Sequence, residues 1–176
     1  MKKILALIFI IAMTFALVSC SSGEDKETAD KKEYTEVNET EAYSGDSYFN
    51  YRTAETEDVK IEITEIVTLP VGIEGNEHGE KDIIAFRYNI TNKSGREVTA
   101  LTGWKTVFRI YQVKKKPLNS TAAPEKKFAD IQNKKIKKGE TVECVQAFQL
   151  NDSDTPILIK AVEKADGYKL IGSNVI

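Results

Sequence analysis

Few side chains in this 176-residue chain have the type and setting to do chemistry. The candidates are two cysteines, Cys20 and Cys144, one histidine, His78, and the acidic pair Asp152 and Asp154. His78 lies in Glu74-Gly75-Asn76-Glu77-His78-Gly79-Glu80, a glycine loop with oxygen donors for a hard cation but without the spacing of an EF-hand. With a single histidine and no His/Cys cluster, a zinc centre is not expected. A nucleophilic triad would need His78 as its base, yet no Gly-x-Ser-x-Gly elbow is present and Cys144 falls inside a strand-like run. Gly72, Gly75 and Gly79 match neither nucleotide-binding glycine spacing. Asn151-Asp152-Ser153-Asp154 is turn chemistry before it is a carboxylate pair. The expectation is a protein that is not an enzyme and carries no cofactor or metal.

Cys20 is different, because the residues before it give its thiol a defined fate. Met1-Lys2-Lys3 is a short basic start, and Ile4 to Val18 is apolar except for Thr14. That run is about 15 residues, and a spanning helix needs about 20. It reads as a cleaved signal peptide. Leu17-Val18-Ser19-Cys20 resembles the lipobox of bacterial lipoproteins. The resemblance implies diacylglyceryl transfer to the Cys20 thiol and cleavage before it. The protein would then sit at the extracellular face of the cell membrane, held through lipidated Cys20 by two acyl chains. An ordinary secretory signal that happens to contain a cysteine is the alternative. Lipidation leaves Cys144 without a disulfide partner, so it is expected to pack as a small hydrophobe.

Composition divides the chain into a signal peptide (1–19), an acidic disordered tether (20–47) and a folded domain (48–176). Residues 21–58 hold twelve acidic against four basic residues, and residues 59–176 hold fifteen against nineteen. The tether is too polar to offset the entropy of ordering it.

The domain reads as strands. Val59, Ile61 and Ile63 alternate with polar residues, Ile66 switches face as at a bulge, and Pro70 with Gly72 ends the run. Ile84, Phe86, Tyr88 and Ile90 form a second strand closed by the turn Asn92-Lys93-Ser94-Gly95. Val98 to Leu101 is a candidate edge strand. Trp104 to Val113 is expected to be a strand with bulky residues on both faces. Thr141 to Leu150 is another, with Val142, Cys144 and Gln146 opposing Val145, Ala147 and Phe148. Tyr48 to Tyr51 opens the domain, and Pro156 starts a final strand through Ile157 and Ile159. Pro124 to Asn133 is the nearest candidate for a helix. About seven strands without alternating helices predict an all-β, antiparallel β-sandwich.

Several of these stretches resemble an uncharacterised immunoglobulin-like, telokin-like domain family of Gram-positive lipoproteins and secreted proteins. They are Glu57 to Ile63, Phe86 to Ser94, Tyr111-Gln112, Ile136 to Val142, Ala147 to Leu150 and Thr155-Pro156-Ile157. The resemblance implies an immunoglobulin-like sandwich and no particular activity. The chain departs from it at Val113-Lys114-Lys115-Lys116-Pro117, where an Asn-Gly turn is common.

Lysines supply the one surface feature with positive content. Lys114, Lys115, Lys116, Lys126 and Lys127 form a candidate basic patch for an extracellular protein or an anionic cell-wall polymer; a solvated loop is the competing reading. Nucleic acid is not expected as a partner outside the cell. The resulting expectation is a membrane-anchored, non-catalytic binding or protein-interaction module. A small-ligand or cation-binding surface sensor using the Gly72 to Glu80 loop is the first alternative, and a cell-wall-active enzyme with no recognisable site is the second.

Overall fold

A computed structural model describes residues 46–112, 116–164 and 167–176. All of these fall in one compact unit, Asn38–Ile176. The signal peptide, Cys20, most of the tether, Lys114 and Lys115 lie outside the described residues.

Among the described residues there are eleven strands and two helices. In chain order they are β1 (Tyr48–Asn50), β2 (Thr53–Glu55), β3 (Val59–Leu69), β4 (Ile83–Asn92), β5 (Val98–Thr99), α1 (Ala100–Val107), β6 (Phe108–Tyr111), β7 (Ser120–Thr121), α2 (Lys127–Ile131), β8 (Lys135–Ile136), β9 (Thr141–Gln149), β10 (Leu158–Glu163) and β11 (Lys169–Val175). A six-stranded sheet runs β1-β2-β3-β4-β9-β7, a three-stranded sheet runs β11-β10-β6, and β5 pairs with β8. All pairings are antiparallel. The expected all-β sandwich is present, in an open form. The strand count exceeds seven because the edges are broken into two- and three-residue pieces and because β11 adds a strand after the expected last one.

The long strands follow the period-two pattern. On β3, Val59, Ile61 and Ile63 are buried and the register against β4 shifts between Ile63 and Glu65, the bulge that the face switch at Ile66 implies. On β4, Phe86, Tyr88 and Ile90 are fully buried. The turn after β4 is built by Asn92. Its amide donates to the carbonyls of Arg96 (3.1 Å) and Ile136 (2.9 Å), and its Oδ1 accepts from Ser94 N (2.9 Å).

Two expectations need correction. Residues 104–107 are helical, not extended, and the edge strand at Val98 stops after Thr99. The reason is a cap: the Thr99 hydroxyl accepts from Thr102 N at 3.1 Å while Thr102 Oγ1 accepts from Thr99 N at 2.9 Å. Ala100, Gly103, Trp104 and Val107 then fall on one buried stripe. Extended backbone resumes at β6, with Phe108 and Ile110 buried. The second correction concerns β9. Phe148 lies two residues after Gln146 and therefore shares its face; its ring packs edge-on to Phe86 at 6.0 Å.

The core lies between the large sheet and the layer made by α1 and the small sheet. Trp104 is its centre, with ring centroids 4.6 Å from Tyr88, 4.6 Å from Phe108 and 5.5 Å from Phe86. On one side the sheets close tightly: a Cβ on Gly172 of β11 would stand 2.6 Å from the Phe49 carbonyl oxygen of β1. Ser47, at the expected end of the tether, is buried and donates to Glu163 Oε2 at 2.7 Å.

Candidate functional site

On the other side the chain turns the corner between the sheets. Leu118 N donates to Ile110 O at 2.7 Å, so β6 is extended by the segment that leads into β7 on the edge of β9. A cleft of about 250 Å³ opens at this corner. Its walls are apolar: Phe108, Ile110, Pro117, Leu118 and Phe148. The rest of its lining is Trp104, Gln146, Ser120, Lys105 and Arg109. Among the described residues no carboxylate lines it.

Among the described residues, two polar groups of the side chains at this cleft have no partner. Trp104 and Gln146 are 1% and 2% exposed, and the indole Nε1–H and the carboxamide Oε1 are both buried without a hydrogen bond. Buried polar groups are rarely left so, because each unmade bond costs about 1–3 kcal/mol. The structure thus keeps a donor and an acceptor unpaired beside one cavity. The sequence determines why both residues lie there. Trp104 lies on the buried stripe of α1, and Gln146 occupies a position of β9 flanked on the same face by buried Cys144 and Phe148.

The cations complete the setting. Arg109 Nη1 donates to the carbonyls of Lys105 (2.5 Å) and Phe108 (2.9 Å), and its guanidinium lies 5.6 Å from the Tyr168 ring. Among the described residues neither Lys105 nor Arg109 has a carboxylate within ion-pair distance.

A second cleft, about 340 Å³, lies between Ile66, Ile84, Leu150, Ile157 and Ile176. Its polar members are committed to local structure. Gln112 holds the loop beside it, donating to Asp152 O (2.6 Å) and Thr155 O (3.2 Å) and accepting from Asn151 N (2.6 Å). Asp152 accepts from Thr155 N, Thr155 Oγ1 and Asp154 N. The Thr155 bonds hold its carboxyl below the usual aspartate range. The Asn-Asp-Ser-Asp string is a turn, as its composition indicates.

The other sequence candidates are dispersed. His78 is exposed, and its loop is organised around buried Asn76, whose amide donates to Leu69 O (3.0 Å) and Lys81 O (2.9 Å). Among the described residues no group of three or more His, Cys, Asp or Glu is placed to hold a metal ion. Cys144 is fully buried on the core face, and burial pushes its thiol up from the ordinary range. Lys116 is exposed beside Pro117 at the corner cleft. Lys126 and Lys127 are exposed at α2, where the Lys127 ammonium lies 2.8 Å from a Glu125 carboxylate and 4.8 Å from the Phe128 ring. The described lysines of the expected patch are thus split between the corner and α2.

Trp104 and Gln146 were not among the sequence candidates. One signal for Gln146 was present: a glutamine amid buried apolar positions of a long strand. Nothing in the order of residues links it to Trp104.

Comparison with known proteins places this architecture. The chain is similar to the solved structure of a putative lipoprotein from Staphylococcus aureus subsp. aureus NCTC 8325, with 19% identity and a TM-score of 0.60 over 74% of this chain and 91% of that one. It is also similar to a protein from Enterococcus faecalis solved by NMR, with 15% identity and a TM-score of 0.56 over 74% of this chain and 92% of that one. At such identities the likeness concerns the fold. No curated protein matches the chain. Among the described residues no helix is long and apolar enough to cross a membrane. The model of a domain of unknown function, DUF5067, matches residues 32–163, well over half of the sequence, and the chain belongs to that family.

Proposed function

We propose that this protein is a lipid-anchored binding module of the extracellular membrane face, without catalytic chemistry of its own, whose sandwich head takes its ligand at the corner cleft. The observation that carries the reading is that Trp104 and Gln146, whose indole N–H and carboxamide oxygen are buried and unpaired among the described residues, line one apolar cleft. A fold that retains such groups sacrifices stability, and function is the usual reason. The anchor rests on the lipobox-like Leu17-Val18-Ser19-Cys20, and the lipoprotein designation of one structural neighbour agrees with it. The immunoglobulin-like relationship belongs to the same proposal, supported by two facing antiparallel sheets.

Two measurements test it. Cys20→Ser should move the protein from the membrane fraction into the medium, or leave it as unprocessed precursor; continued lipid labelling of the variant would sink the anchor. A photocrosslinker at Ser120, on the cleft rim, should give adducts on intact cells that the same crosslinker at exposed Glu65 does not. Equal labelling from both positions would remove the cleft from the binding role.

A further inference from the structure

The two main sheets turn different outer faces to solvent. On the large sheet the charges are matched: Arg87 meets Glu65 (3.1 Å) and Glu143 (3.6 Å), and Lys60 meets Glu62 (3.0 Å). On the small sheet, register puts Arg109 beside Lys160, Tyr111 and Val175 on either side of Leu158, and Leu170 beside Val162. All lie on the face opposite buried Ile110, Ile159 and Ala161. Among the described residues neither Arg109 nor Lys160 has a carboxylate within ion-pair distance. Each lies over an aromatic ring instead, the Arg109 guanidinium 5.6 Å from Tyr168 and the Lys160 ammonium 5.8 Å from Tyr111. Tyr168, Leu170 and Val175 are large hydrophobics left exposed.

From this we infer that the outer face of the small sheet docks on an anionic phospholipid surface. This goes beyond the cleft and rests on the anchor reading above only for the membrane it supplies. Such a surface matches both halves of the face. Its phosphates take the unpaired cations. Its headgroup layer suits tyrosine, whose ring is apolar and whose hydroxyl is polar, and the acyl boundary takes Leu170 and Val175. The chain leading from Cys20 joins the head beside this sheet, where Ser47 donates to Glu163 at the end of β10. Residues 21–46 are the competing occupant; rich in acids but poor in apolar residues, they satisfy only the cations.

The full-length lipidated protein is reconstituted in vesicles of phosphatidylcholine alone or of an equal mixture with phosphatidylglycerol. A fluorescent dye is placed at Ser173→Cys, whose position pairs with Lys160 on the outer face, or at Glu65→Cys on the large sheet. Cys144 is fully buried and Cys20 acylated, so the introduced thiol takes the label. The expected result is quenching by spin-labelled lipid at position 173 but not at 65, and only in the anionic vesicles. Molar salt, which shortens the Debye length to about 3 Å, should weaken it without any change to the face. Arg109→Gln and Lys160→Gln should each lower the docked-to-free ratio about fivefold. Equal quenching at both positions, or at position 173 in both kinds of vesicle, overturns the proposal. So does shielding of position 173 from aqueous acrylamide in the neutral vesicles with no quenching by lipid, which would assign the face to residues 21–46. Protein that floats with both vesicles and is quenched in neither retains its anchor and loses this face. Unlipidated protein that floats only with anionic vesicles, quenched at position 173, retains the face and loses the anchor. Flotation with neither overturns both.

Discussion

The Gln112 side chain donates to the carbonyl of Asp152 at 2.6 Å, joining the end of β6 to a turn forty residues later. With its bonds to Thr155 O and Asn151 N, it uses both ends of one carboxamide to hold the loop between β9 and β10. Gln112 is buried, so these bonds have no water to replace them. Gln112→Ala should therefore cost about 2–3 kcal/mol, the loss of bonds plus the backbone groups left unpaired. Urea unfolding measures this, and a loss below about 0.5 kcal/mol would show that the loop is held by other contacts.

Gln146 predicts the opposite sign. Gln146→Leu removes a buried unpaired oxygen and replaces a polar group by an apolar one of similar size, so the variant should be more stable by about 1 kcal/mol. Thermal and urea melts check it. A destabilised Gln146→Leu would mean that the carboxamide already has a partner worth more than the penalty.

Alkali should loosen the core at a defined place. Tyr88 is fully buried, with its hydroxyl donating to Ala100 O at 3.1 Å, and burial raises its pKa far above the ordinary value near 10. Burial also raises Cys144, which faces Tyr88 across the β4–β9 pairing. For a group whose folded-state pKa lies above its unfolded value, the stability is fully present below the unfolded value and is lost as pH rises toward the folded one. Stability should hold to about pH 8, then fall with a slope approaching 1.4 kcal/mol per pH unit for each such group. Urea midpoints at pH 8, 9.5 and 10.5 test the fall, and Tyr88→Phe should flatten it above pH 10. At pH 8 the folded thiol should resist alkylation and react on unfolding.

Gly103 reports how closely α1 lies on the large sheet. A Cβ there would stand 2.2 Å from Ile90 Cδ1, and Ile90 is fully buried. Alanine gains up to ~1 kcal/mol in helix propensity over glycine, but overpacking costs about 1–3 kcal/mol. The clash should win, leaving Gly103→Ala less stable by about 1 kcal/mol. Adding Ile90→Val removes the Cδ1 atom and should recover most of the loss. Strict additivity of the two changes in a double-mutant cycle would contradict the contact.

Much of the fold was legible in residue order because its determinants are local. β3 up to its bulge and the later part of β4 follow period-two burial, which depends only on the pleat, and the bulge between Ile63 and Glu65 showed as a slip in that period. Asn92 and Asp152 build their turns from bonds to neighbouring backbone, so their types marked the turns. α1 was obscured because its stripe spans only two turns and runs straight into β6, so Trp104, Phe108 and Ile110 read as one alternating strand. β11 was obscured by Gly172, which breaks a strand pattern for a reason lodged in another strand: the Phe49 carbonyl leaves no room for a side chain. By itself the sequence determined the period of the strands, the turns and the lipobox-like cysteine, all properties of near neighbours. The corner cleft was decided by tertiary structure alone. A tryptophan on α1 and a glutamine on β9 line the same cleft only after two layers pack, and whether their polar atoms are paired depends on every atom around them.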